Sequence, residues 1–119
     1  MSTRCNIIVK DQFNDRIYLY HHFDGYPEGV GADLKKFFDQ YQKWQIQQHG
    51  VFLANKLVKN TAGLDDEGYE ITTGLHGDIE YLYVINCKAG TLRCYEVPFY
   101  LDREDRMKNI ATRRHIRNL

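Results

Sequence analysis

Short apolar runs, each cut by a polar or glycine-bearing turn, set the pattern of this chain. Cys5 to Val9 is the first run, ended by Lys10-Asp11-Gln12, and Asn14-Asp15 turns the chain into Arg16–His22. The two segments predict an N-terminal hairpin. In its second strand Ile17, Leu19 and His21 share one face, while Tyr18, Tyr20 and His22 share the other. Leu34, Phe37, Phe38 and Tyr41 then recur at helical spacing, with Trp44 one turn further, which predicts an amphipathic helix over about 32–44. Asp33 near its start suits the helix dipole. A second helix is expected over about 46–59, presenting Val51, Ala54, Leu57 and Val58, with Gly50 weakening its beginning.

Residues 60–68 read as loop, with Gly63, the acidic trio Asp65-Asp66-Glu67 and Gly68. Tyr69 to Asn86 is extended, bent or folded into a hairpin around Leu75-His76-Gly77-Asp78, and Ile79–Ile85 alternates at strand period with both faces largely apolar. Lys88-Ala89-Gly90 makes the next turn, Thr91 to Val97 pairs back, and Pro98 ends that strand. Leu101 to Arg117 is expected to be a short helix. The element order predicts one α+β domain over 1–119: an antiparallel sheet of about five strands, a two-helix insertion packed on one face, and a short C-terminal helix.

Composition narrows the function. At 119 residues the chain can bury roughly two thirds of its unfolded surface, enough to fold without a staple. Sixteen basic residues balance sixteen acidic ones, which argues against binding long nucleic acid. The balance is uneven, because five Arg or Lys and no Asp or Glu fall between Arg106 and Leu119. Nine tyrosines give broad apolar faces with polar tips, as interfaces and ligand pockets use. Cys5, Cys87 and Cys94 form no C-x-x-C pair and read as free thiols; Cys87 and Cys94 sit on opposite arms of one hairpin and could face each other. Met1-Ser2-Thr3-Arg4-Cys5 leads into a strand and not an apolar leader, and no run approaches a membrane span, so the expectation is a cytoplasmic protein without a membrane partner.

Two stretches hold the candidate chemistry. The first is Tyr20-His21-His22-Phe23-Asp24-Gly25-Tyr26-Pro27-Glu28-Gly29-Val30-Gly31, where a strand runs through two histidines and an aspartate into a glycine-rich turn before a helix. Backbone N–H groups at such a turn favour anions. The second is Thr72-Thr73-Gly74-Leu75-His76-Gly77-Asp78-Ile79-Glu80, with the same ingredients. If the two loops converge, Tyr20, His22, Asp24, Gly25, Tyr26, Gly29 and Gly31 would meet Thr73, His76 and Asp78 around one ligand, with Arg113, Arg114 and Arg117 arriving from the tail. The same histidines could instead flank a phosphoester as base and acid, or join the aspartates around a divalent metal. No P-loop or G-x-S-x-G occurs, and Ser2 is the only serine. Against these readings, Asp24-Gly25 can be a simple turn and the histidines can bond locally.

Ser2-Thr3-Arg4, Tyr20-His21-His22-Phe23-Asp24-Gly25-Tyr26-Pro27 and Thr72-Thr73-Gly74-Leu75-His76-Gly77-Asp78-Ile79-Glu80-Tyr81 resemble small proteins encoded by bacteriophages and gut bacteria, over residues 1–95. More loosely, size and element order are similar to phage Thoeris anti-defence sponge proteins, oligomers that sequester cyclic nucleotide immune signals. That resemblance implies a homo-oligomer binding a nucleotide-like anion without turnover and without a cofactor. It carries over no individual site residue. The alternatives from other classes are a metal- or histidine-dependent phosphoester hydrolase and a protein-binding inhibitor of a host factor.

Overall fold

The computed structural model describes residues 3–61, 68–97 and 114–118, the last of these as backbone. Its centre is β1 (Cys5–Lys10), the apolar run read from the sequence. Asn14, at φ 68°, closes the tight turn into β2 (Arg16–His21), which pairs antiparallel with β1 from Cys5↔His21 to Lys10↔Arg16. The other strands are β3 (Glu70–Thr72), β4 (Tyr81–Asn86), β5 (Thr91–Glu96) and β6 (Arg114–Asn118). They make one six-stranded sheet of order β3-β2-β1-β4-β5-β6. All pairings are antiparallel except β1 with β4, which run parallel from Cys5↔Tyr81 to Lys10↔Asn86. The fold is α+β, with a mixed sheet in place of the expected all-antiparallel one.

That parallel pair has a topological cause. β3 lies beyond β2, on the far side from β4, so residues 73–80 must cross two strands before β4 can begin. The crossing buries Leu75 and Ile79 on the sheet face formed by Ile8, Tyr20, Leu82 and Val84. Tyr69–Asn86 is therefore two strands joined by a covering segment, not one long strand with a bend.

The opposite face carries the helices. Before α1 (Ala32–Phe38), Pro27–Gly31 make one wide π-type helical turn, and α2 (Lys43–Thr61) follows a break at 39–42. Leu34, Phe38, Leu53, Ala54 and Leu57 close on Cys5, Ile7, Val9, Leu19, Tyr83 and Cys94, burying much of the expected stripe. Leu53 takes the core place expected of Val51, which is 37% exposed because the kink at His49 turns it outward. The stripe stops sooner than expected. Gln45 Oε1 accepts the Gln42 N–H at 2.8 Å and restarts the helix, so Trp44 turns outward and is 52% exposed.

α2 kinks at His49 (φ −128°, ψ 23°), and the next residue, Gly50, lies against Cys87. A Cβ built on Gly50 would stand 2.1 Å from Cys87 Sγ. In an exposed helix Gly→Ala stabilises by about 1 kcal/mol. Here Gly50→Ala is expected to destabilise by about 1–3 kcal/mol, because the core must move to admit the methyl. Denaturant titration checks the sign, and adding Cys87→Ala should recover part of the loss.

Cys87 and Cys94 do not face each other. Cys94 sits opposite Tyr83 in the β4–β5 ladder, while Cys87 lies past the end of β4, its N–H donating to Lys10 O at 2.9 Å. All three cysteines are buried thiols. Of the expected C-terminal helix, residues 101–113 lie outside the described residues, and Arg114–Asn118 form a strand instead.

Candidate functional site

β2 carries Tyr20 on the face away from the helices, and the 73–80 crossing brings His76 onto it. The two rings stack with centroids 4.0 Å apart and planes 18° apart. His22, just past the end of β2, places Nδ1 3.2 Å from the Tyr20 hydroxyl. Two histidines far apart in the chain thus flank one phenol. Burial beneath the crossing segment pushes the Tyr20 hydroxyl above its ordinary value, with the Asp78 carboxylate adding to the rise and Arg4 opposing it.

Two further residues build this corner. Asn6, wholly buried in β1, accepts the His76 backbone N–H through Oδ1 at 2.7 Å and donates Nδ2–H to Leu19 O at 2.7 Å. It fastens the crossing segment to β2 and sets the height of His76 over Tyr20. Arg4, just before β1, holds Nε 3.2 Å from Asp78 Oδ2. The Nε–H makes no aimed hydrogen bond, so the contact is an ion pair. Asp78 Oδ1 is buried with no hydrogen-bond partner among the described residues. The result is two imidazoles, a phenol, a guanidinium and a carboxylate with spare acceptor capacity.

The first loop divides between the two faces. His21 points to the helix side, where its Nδ1–H donates to Phe23 O and its ring packs on Tyr69 at 4.6 Å. A carbonyl can only accept, which fixes the proton on Nδ1. Asp24 adopts φ 53° and accepts the Tyr26 hydroxyl at 3.2 Å; that carboxylate pushes the Tyr26 phenol up from its ordinary value.

The glycine turn spends its donors internally. Gly25 N–H goes to Thr3 O, Gly29 N–H to Tyr26 O and Val30 N–H to Asp24 O, all within 2.9 Å. The Tyr83 hydroxyl donates to Gly25 O at 2.7 Å, which anchors the turn to the helix-side core. The glycines are there for close approach: a Cβ on Gly29 would meet Asp24 O at 2.2 Å, and one on Gly25 would meet Thr3 O at 2.8 Å.

Tyr20, His22, His76 and Asp78 therefore come together, whereas Gly25 and Gly29 are held on the helix side, the Gly25 N–H bonded to Thr3 O and the Gly29 N–H to Tyr26 O within the turn. Gly31 is buried at the end of the π-type turn, and Thr73 is exposed at the start of the crossing segment. Arg113 lies outside the described residues. Arg114 pairs with Glu96 at the sheet end that holds the cluster, and Arg117 pairs with Cys94. Arg4 and Asn6 were not singled out from the sequence. The signal for Asn6 was a lone amide inside an otherwise apolar strand.

Among the described residues, no group of three or more His, Cys, Asp or Glu is arranged to hold a metal ion. No described helix is long and apolar enough to cross a membrane. No protein-family model matches the chain, and neither a curated protein nor a solved structure is significantly similar to it.

Proposed function

We propose that this chain is a phage-type accessory protein that captures a compact, nucleotide-like anion in the bacterial cytoplasm and does not turn it over. The observation that supports this most is the convergence of His22 and His76 on Tyr20, with Arg4 and Asp78 beside them. The outer face of His76 suits stacking by a base, since such stacking contributes about 1–3 kcal/mol. Arg4 and the imidazoles suit a phosphate. Asp78 Oδ1, buried and unsatisfied, suits a ribose hydroxyl or an exocyclic amine, because an acceptor left unmade is destabilising. Asp24, Tyr26, Arg113, Arg114 and Arg117 belong to the reading as outer contacts, the arginines reaching across from a second copy in a homo-oligomer.

Calorimetric titration with a panel of cyclic and linear nucleotides tests the reading. Saturable binding is expected, weakened about tenfold or more by His76→Ala or Arg4→Gln, with the nucleotide recovered intact after heating. Absence of binding across the panel would remove the proposal. Recovery of a cleaved nucleotide would replace it with the second reading, a histidine-dependent phosphoester hydrolase. The placement of two half-buried imidazoles against one phenol, His22 at its hydroxyl and His76 on its ring face, favours that alternative. In that case His22→Ala and His76→Ala should each abolish turnover.

A further inference from the structure

At the other end of the sheet, on the helix side, the α1–α2 corner and the β4–β5 turn enclose a cleft of about 250 Å³. It would hold about eight waters at ~30 Å³ each, or one fused aromatic ring pair. Phe38, Ile85 and Leu92 form its floor, all at least nine-tenths buried, and Tyr41 and Ile46 complete the apolar wall.

The walls are tied together. Gln47 Nε2–H donates to Lys88 O at 3.0 Å, joining α2 to the turn, and Gly90 N–H closes that turn on Asn86 O at 2.8 Å. Gly90 takes φ 70°, and the stem of Lys43 lies over it, with a Cβ there only 3.2 Å from Lys43 Cε. The glycine seats the lysine at the mouth of the cleft. Lys35, the other cation at the rim, is paired with Asp39 at 3.1 Å. Lys43 has no carboxylate partner among the described residues. A preformed apolar hollow with one cation at its mouth that no described carboxylate compensates has the chemistry of a small-molecule site.

We propose that this cleft binds a small aromatic monocarboxylate, its ring on Phe38, Leu92 and Tyr41 and its carboxylate on the Lys43 ammonium. Among the described residues the rim carries a single net positive charge, which selects a monoanion over a dianion or a cation. The site is separate from the Tyr20 cluster, which occupies the opposite face at the opposite strand ends, so it stands whether or not nucleotide capture does.

Methyl-resolved NMR titration of the intact chain with naphthoate is the test. Saturable shifts are expected at the methyls of Ile46, Ile85 and Leu92. Lys43→Met, an exposed substitution compatible with the helix, should weaken naphthoate about tenfold, and Lys43→Arg should restore it. Naphthalenemethanol, the neutral analogue, should bind the wild type about as weakly as naphthoate binds Lys43→Met. The proposal is overturned if the shifts do not saturate, if they map to the Tyr20 end of the sheet, or if Lys43→Met leaves affinity unchanged.

Discussion

Raising the pH above about 9 is expected to unfold this protein progressively, and the loss should steepen above about 10. Cys5 and Tyr83 are wholly buried and Tyr69 nearly so. Burial pushes all three well above their ordinary values of 9.0 and 10.0, and Cys87 is pushed up to about 11. A raised native pKa means that the fold retains protons which the unfolded chain releases. The stabilisation is therefore complete below the unfolded values and declines as pH climbs through them. Each such group removes about 1.4 kcal/mol per pH unit, so Cys5, Tyr69 and Tyr83 together remove about 4 kcal/mol per unit above pH 10. Total stabilities of about 5–15 kcal/mol leave little margin against that slope.

Denaturant titrations at several pH values check the slope, with tyrosinate absorbance read in parallel. The tyrosinate absorbance contributed by Tyr69 and Tyr83 should appear only together with unfolding. Tyr83→Phe should lose some stability at neutral pH, because Gly25 O loses its 2.7 Å donor, but its alkaline decline should be shallower by one proton. Ionisation of every tyrosine at its ordinary value in a chain that stays folded would contradict the burial argument.

Asn6→Leu is expected to destabilise by about 2–4 kcal/mol although leucine has the same branched outline and suits a buried strand. The amide satisfies the His76 N–H and Leu19 O at 2.7 Å each, and an orphaned buried backbone group is worth about 1–3 kcal/mol. Added apolar burial offsets part of that. Asn6→Asp should also fail, since a carboxylate cannot donate to Leu19 O and brings a buried charge. The loss should be local as well as global: with the crossing segment unfastened, His76 no longer holds its stack on Tyr20. Ring-current shifts at His76 would report that loss at temperatures where the sheet remains folded. A variant as stable as wild type, with those shifts intact, would show that the amide does not organise the corner.

Much of the fold was legible because two spacings survive in the sequence. Period two marks Arg16–His21 and Tyr81–Asn86, and helical period marks Leu34, Phe38, Ala54 and Leu57. Trp44 shows where that reading stopped. Its spacing continues the stripe, but a side-chain amide at Gln45 restarts the helix and changes its phase. For the candidate site, the sequence named Tyr20, His22, His76 and Asp78 but left open whether their two loops meet; the structure brings them together. It also expected the glycine turn to face the ligand, whereas the Gly25 and Gly29 N–H groups already donate to Thr3 O and Tyr26 O.

Alternation and turn chemistry are local properties, so the chain by itself determined β1, β2, β4 and β5, its helix pair on one face and the two polar loops. Which strand lies beside β1, and hence which loop crosses the second face, depends on pairings between distant segments. Only the tertiary structure decided that β4 runs parallel to β1, that residues 73–80 lie across the sheet, and that a buried amide holds His76 against Tyr20. Backbone pairing and apolar burial gain their free energy from whole surfaces meeting, and no single stretch of sequence records which surface it will meet.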